Sequence, residues 1–141
     1  MKPRALFSLG LVAGFLMACT IMPTHRVPNW PQLTIKTHVV EAGQIWTHCK
    51  DTLPAWAVIM LAPPVACAWV NLGALTCDVY VTDTTPPCDV QHELKHCLGY
   101  EDAGVDSFSR LLANYRAAYP DWNPPIVDDA FAAKVLRGGT S

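Results

Sequence analysis

The residues with the clearest chemical potential lie between His92 and Asp102, in the stretch His-Glu-Leu-Lys-His-Cys-Leu-Gly-Tyr-Glu-Asp. On an α-helix, His92 and His96 are four residues apart and share a face, so both imidazoles can bind one metal ion. Glu93 lies about 100° further around the helix, where its carboxylate can reach a water on that ion. Chance gives such a motif an expected count of about 0.004 in this chain. The alternative is an exposed helix that binds no metal.

A third protein ligand is required, because two imidazoles leave a zinc ion under-coordinated. Gly99 is expected to end the helix, since glycine accepts the left-handed conformation that follows a last turn. The chain can then turn back towards the two histidines. Three carboxylates follow the glycine and are candidates for the third ligand: Asp102, Glu101 beside it, and Asp106 further along. Asp102 could instead cap the next helix.

The first 18 residues form a predicted targeting segment. Positive charge at the start is followed by an apolar stretch over residues 5–18, which is too short for a comfortable membrane span. The stretch ends in Leu-Met-Ala-Cys at 16–19, which resembles the lipobox of bacterial lipoproteins. This resemblance implies cleavage before Cys19, a lipid on that cysteine and, with Thr20 next, the outer membrane. An ordinary cleaved signal peptide and an uncleaved anchor are the alternatives, and all three place the domain outside the cytoplasm.

The other cysteines fit an oxidising compartment. There are five of them besides Cys19: Cys49, Cys67, Cys77, Cys88 and Cys97. An odd number predicts at most two disulfides and one remaining thiol. Cys67 and Cys77 flank a predicted hairpin and are one candidate pair, while a bridge from Cys97 would attach the metal helix to another element. Without a CxxC pair, the cysteines are not predicted to be zinc ligands.

The remaining pattern predicts one α+β domain over residues 33–141, joined to the lipid by a tether over residues 19–32. The chain has 141 residues with 51% hydrophobic and 16% charged residues, as expected of one folded domain. A net charge of −2 and the lack of a basic run argue against a nucleic-acid partner. In order, we predict a strand at 33–40, a short helix at 41–50, a buried element at 55–61, strands at 65–70 and 75–82, and helices at 88–98, 105–118 and 126–136.

The motif HExxHxxGxxD, together with the strand before it, resembles the zincin-type zinc metallopeptidases, and most closely the snapalysin-like members of the metzincins. The resemblance implies that His92, His96 and Asp102 bind Zn²⁺ and that Glu93 acts as general base for a zinc-activated water. Tyr100 is a candidate donor to the oxyanion. Metzincins also carry a methionine after the third ligand. Here the methionines are at 1, 17, 22 and 60, so none follows Asp102.

The same resemblance implies how substrate binds. In zincins an extended peptide pairs with an edge strand beside the active-site helix, and strand 75–82 is the candidate for that role. A plain core strand is the alternative. The fold expected is a small zincin-like domain with a short antiparallel or mixed sheet, an active-site helix and two C-terminal helices.

The sequence therefore predicts a zinc-dependent metallopeptidase anchored as a lipoprotein in the bacterial envelope, on the periplasmic face of the outer membrane. The expected substrate is an envelope protein or a peptide cross-link of the cell wall. The alternative is a non-catalytic envelope lipoprotein, in which a zincin scaffold binds a partner or a structural zinc ion.

Overall fold

The structure, a computed structural model, describes residues 23–52, 66–102 and 106–138. The predicted targeting segment at 1–18, Cys19 and the predicted buried element at 55–61 lie outside these residues. The described strands are β1 (His25–Arg26), β2 (Thr34–Val39), β3 (Ala66–Asn71), β4 (Thr76–Val81) and β5 (Tyr100–Glu101). The described helices are α1 (Ile45–Cys49, followed by a 3-10 turn at Lys50–Thr52), α2 (Pro87–Cys97), α3 (Ser107–Ala118) and α4 (Asp129–Leu136). The domain is therefore α+β, as predicted. None of the described helices is long and apolar enough to cross a membrane.

The larger sheet is mixed and has the strand order β2-β4-β3. Strand β4 runs parallel to β2 and antiparallel to β3, with which it forms the predicted hairpin. Its alternate residues Cys77 and Val79 are fully buried. Strand β4 is thus the central strand, hydrogen-bonded on both sides. The prediction that strand 75–82 is an edge strand that pairs with substrate is wrong, because both of its edges are already used.

The two faces of this sheet are covered by different helices. On one face, α2 packs over the main core, whose buried members come from the sheet, α2, α3 and α4. On the other face, α1 packs through Ile45 and Cys49 against Cys67 of β3. Helix α2 is consequently held against the sheet by its apolar side, through Leu94 and Cys97, and its other side is left to carry polar groups.

Residues 23–32 belong to the domain, so the prediction of a tether over all of 19–32 is wrong for this part. Strand β1 pairs antiparallel with β5. Trp30 is only 1% exposed, its carbonyl accepts a 2.8 Å hydrogen bond from the Val127 amide, and its indole N–H donates to the Cys97 carbonyl at 3.0 Å. The prolines that indicated an extended tether are compatible with this packing, and Pro31 is itself buried. Through Trp30, this segment is hydrogen-bonded both to the end of α2 and to the chain around Val127.

Two disulfides join the described elements: Cys49–Cys67 and Cys77–Cys97. The candidate pair Cys67–Cys77 is wrong because the two residues face opposite sides of the sheet. Cys67 pairs across the hairpin with Tyr80 on the α1 side, whereas Cys77 belongs to the core on the α2 side.

The bridge from Cys97 attaches the predicted metal helix to β4, as the sequence suggested. Cys88, in the first turn of α2, is disulfide-bonded as well. The expectation of one remaining thiol among the five cysteines is therefore wrong, and no described cysteine is free.

Candidate metal centre

The helix that carries the motif begins at a proline and ends at a glycine. Pro86 is the N-cap and Pro87 the first helical residue, where the missing amide hydrogen costs nothing. After the last helical residue, Gly99 adopts a φ of +85° and its amide donates to the His96 carbonyl at 2.9 Å. Only glycine fits there, since a Cβ atom would lie 2.3 Å from Cγ of Trp30. This turn confirms the predicted helix end and directs the chain back along α2.

The turn brings three side chains together at the polar side of α2. The Nε2 atoms of His92 and His96 are 3.0 Å apart. Asp102 places Oδ1 3.4 Å from His92 Nε2 and Oδ2 3.6 Å from His96 Nε2. Zinc–ligand distances of about 2.0–2.2 Å imply tetrahedral edges of about 3.3–3.6 Å. The two separations from Asp102 fall within this range, and the 3.0 Å between the two imidazoles is slightly shorter, so a small opening of the pair would let the three donors surround one metal ion.

Asp102 shows a feature that a bound cation would explain. Its Oδ1 atom is buried and has no hydrogen-bond partner in the structure. A buried carboxylate oxygen without a hydrogen-bond partner is costly and calls for an explanation, and a cation bound between Asp102 and the imidazoles would provide one. The donor set of two imidazoles and one carboxylate is also one that zinc prefers. In the described residues, His92, His96 and Asp102 form the one group of three or more possible ligands that is close enough to hold a metal.

His96 is oriented by its second ring nitrogen. Nδ1 lies 2.9 Å from the Tyr100 carbonyl, which can only accept, so Nδ1 carries the hydrogen and Nε2 presents its lone pair to the site. Burial lowers the pKa of His96, an effect reinforced by His92 and opposed by the Tyr100 carbonyl and the Asp102 charge. A neutral imidazole with a fixed tautomer is the form that binds a metal.

The other two carboxylates considered for the third ligand are used elsewhere. Glu101 is buried and accepts hydrogen bonds from the backbone amides of Phe108 (2.6 Å) and Ser109 (3.0 Å) at the start of α3. Asp106 is exposed and pairs with Arg110 at 2.8 Å. Of the three, Asp102 alone reaches the two imidazoles.

Glu93 lies beside this group in a largely buried position. Burial raises the pKa of its carboxyl to about 8, with further contributions from the negative charges of Asp102 and Asp89. In the metal-free site this carboxyl group is therefore mostly protonated at neutral pH. A cation held by the neighbouring imidazoles and Asp102 would favour the ionised form, which is the form that a general base requires.

Tyr100 contributes to the site through its backbone. Its ring is flanked by cationic groups, with Lys95 Nζ at 5.4 Å and Arg26 Cζ at 5.9 Å from the ring centroid. Its carbonyl lies at the site, 2.9 Å from His96 Nδ1. The role of oxyanion donor proposed from sequence stays a prediction.

The remaining histidines of the sheet region lie away from the metal group. His38 and His48 stack on either side of Tyr80, at centroid distances of 4.8 and 4.3 Å, and His38 also contacts Asp78 at 2.7 Å. They belong to the α1 side of the sheet.

Three supporting groups could not be identified from the motif alone. They are the Tyr100 carbonyl, the Phe108 ring, which lies 5.7 Å from the His96 ring, and Trp30, which fills the space beside Gly99. Each of the three acts through its backbone or through a contact between segments that are distant in the sequence. Contacts of these two kinds leave no pattern of residue types in the sequence.

Comparison with known proteins finds no matching family model, no matching curated protein and no matching solved structure.

Proposed function

We propose that this protein is a zinc-dependent metallopeptidase that hydrolyses peptide bonds. The observation that carries the proposal is the convergence of His92 Nε2, His96 Nε2 and the Asp102 carboxylate at separations of 3.0–3.6 Å, with a buried oxygen of Asp102 that has no hydrogen-bond partner. The zincin-like motif HExxHxxGxxD supports the choice of zinc and of peptide hydrolysis. Asp102 serves as the third ligand in this proposal.

The residues divide the chemistry between them. His92, His96 and Asp102 hold the ion, and zinc supplies the Lewis acidity that makes a water molecule nucleophilic near neutral pH. Glu93 would act as the general base, taking a proton from the attacking water and returning it to the leaving amine. It must be ionised to do so, and the positive charge of an ion at the site would offset the burial that raises its pKa in the metal-free protein.

The site of action proposed is the bacterial cell envelope. The apolar N-terminal stretch supports export, and the Leu-Met-Ala-Cys sequence at 16–19 supports lipid attachment at Cys19 and a location on the periplasmic face of the outer membrane. Cys88 is disulfide-bonded and the other four described cysteines pair with one another, so a lipid on the Cys19 sulfur and a disulfide from the same sulfur exclude each other. Mass spectrometry of the mature protein distinguishes the two states of Cys19. The disulfides of the domain fit an oxidising compartment. The substrate is then an envelope protein or a peptide cross-link of the cell wall.

The proposal is tested with the mature full-length protein and its Glu93→Gln variant. Zinc content and cleavage of a denatured protein substrate are measured at neutral pH, with the exposed Glu41→Gln as the matched control. We expect Glu93→Gln to retain zinc and lose cleavage by a factor of about 10² or more, while Glu41→Gln cleaves like the original protein. Zinc binding without any cleavage by the original protein would favour the alternative, a non-catalytic lipoprotein that uses the scaffold for partner binding or a structural ion.

A further inference from the structure

Glu101 and Asp102 are adjacent acidic residues with opposite surroundings. Asp102 faces the two imidazoles, whereas Glu101 is only 5% exposed and binds the start of α3. Its Oε1 accepts from the amides of Phe108 and Ser109, and its Oε2 accepts from the Ser109 hydroxyl at 2.8 Å. A buried carboxylate with three such bonds at a helix N-terminus is strongly held.

The residue that Glu101 holds is in contact with the metal centre. The Phe108 ring packs edgewise against His96, with centroids 5.7 Å apart and planes inclined by 75°, and it is backed by Trp30 at 5.2 Å. His96 is thus fixed by Phe108 on one side and by the Tyr100 carbonyl at Nδ1. Tyr100 and Asp102 are the two neighbours of Glu101 in the chain, so Glu101 is directly connected to three groups around the site: Phe108, the Tyr100 carbonyl and Asp102.

A purely structural helix cap would not need this arrangement. Helix α4 is capped locally, by the exposed Asp128, which accepts from the Phe131 amide at 2.7 Å. The N-cap residue of α3, Asp106, makes no side-chain cap, and a carboxylate from β5 replaces it. Burying a charge is expensive unless it is fully hydrogen-bonded. The position of Glu101 is explained when the cap also sets the geometry of the neighbouring ligands.

We propose that Glu101 is a positioning residue of the metal centre, which holds the Phe108 ring against His96 and fixes Asp102 opposite the two imidazoles. In this role the Phe108 ring gives the His96 imidazole an apolar neighbour that limits its movement. The inference rests on the proposed metal site, but it concerns the support of that site and not the reaction.

The test compares Glu101→Ala, Glu101→Gln and Phe108→Leu in the full-length protein, with Asp128→Ala as a control that removes a helix cap away from the site. Zinc affinity is measured by competition, the Co²⁺ absorption spectrum reports ligand geometry, and NMR of the metal-free protein detects the His96 Nδ1 hydrogen. We expect Glu101→Ala to weaken zinc binding about 10–100-fold, to change the Co²⁺ spectrum and to weaken the His96 signal.

Glu101→Gln should bind zinc nearly as the original protein does, because an amide can accept from both backbone amides and still reach the Ser109 hydroxyl. Asp128→Ala should lower the Tm and leave the zinc affinity unchanged. A folded Glu101→Ala variant with the original affinity and spectrum would overturn the inference. If that variant does not fold, Phe108→Leu decides, and an unchanged affinity and His96 signal would then overturn it. Absence of zinc binding in the original protein would contradict the proposed function, while the His96 signal would still test the positioning role.

Discussion

Replacement of Gly99 by alanine should destabilise the domain through two separable effects. The φ of +85° is unfavourable for any residue with a Cβ, at a cost of roughly 1–2 kcal/mol. The new Cβ would also lie 2.3–2.7 Å from three atoms of Trp30, a side chain that is 1% exposed and cannot move aside. Forced overpacking of this kind adds about 1–3 kcal/mol. The free energy of unfolding should therefore fall by about 2–5 kcal/mol.

Two other glycines provide matched controls for these effects. Gly138 has a φ of +91° and open space around its Cβ position, so Gly138→Ala reports the conformational cost alone. Gly43 has neither a positive φ nor a neighbour within 4 Å, so Gly43→Ala should change stability little. Thermal and urea unfolding of the disulfide-intact protein should give losses in the order Gly99, Gly138, Gly43. Equal losses for Gly99→Ala and Gly138→Ala would refute the described packing of the turn on Trp30, and equal losses for Gly99→Ala and Gly43→Ala would refute both effects.

Three further predictions concern the metal-free and metal-bound protein. In the metal-free protein the pKa of Glu93 is about 8 in the folded state and 4.5 in the unfolded state. Because the folded state holds the proton more tightly, the free energy of unfolding should fall as the pH rises from 4.5 to about 8. The Glu93→Gln variant lacks this titration, so it should be more stable than the original protein by roughly 3 kcal/mol at pH 7. Urea unfolding at several pH values measures the difference, and parallel pH profiles for the two proteins would contradict the prediction. Loss of the Cys77–Cys97 bridge, with both cysteines changed to alanine, should cost about 3 kcal/mol. It should also weaken zinc binding, whereas loss of Cys49–Cys67 should cost a similar amount and leave zinc affinity unchanged; equal zinc affinities for the two variants would contradict a role for the first bridge at the site. Zinc at 100 times its Kd should stabilise the protein by about 2.7 kcal/mol, measured as a rise in Tm that a chelator reverses.

The helix that carries the HExxH motif, α2, was predictable because its signals are local. The four-residue spacing of His92 and His96, and Gly99 as the helix end, depend on helical geometry and on the unique freedom of glycine. Local signals did not decide whether Glu101 or Asp102 is the third candidate ligand. Neighbouring residues of an extended segment point to opposite sides, so only one of them can face the imidazoles, but the sequence does not say which side the segment presents.

Features that depend on distant contacts were predicted less well. The alternating strand at 75–82 was recognised, yet its central position depends on pairing with both β2 and β3. The segment containing Trp30 looked like a tether because its prolines and polar residues show no period, whereas its burial comes from contacts with the end of α2 and with the residues around position 126. Disulfide pairing depends on which face of a strand each cysteine occupies, and a hairpin alone does not determine that.

The most direct test of the central claim is zinc binding by the full-length protein and by its Asp102→Asn variant, measured by calorimetry and metal analysis at neutral pH. The proposed site predicts one zinc ion per chain, with binding lost or weakened by several orders of magnitude in Asp102→Asn and retained in the exposed Asp106→Asn. No stoichiometric zinc in the original protein, or equal affinity in both variants, would contradict the assignment of His92, His96 and Asp102 as the metal centre.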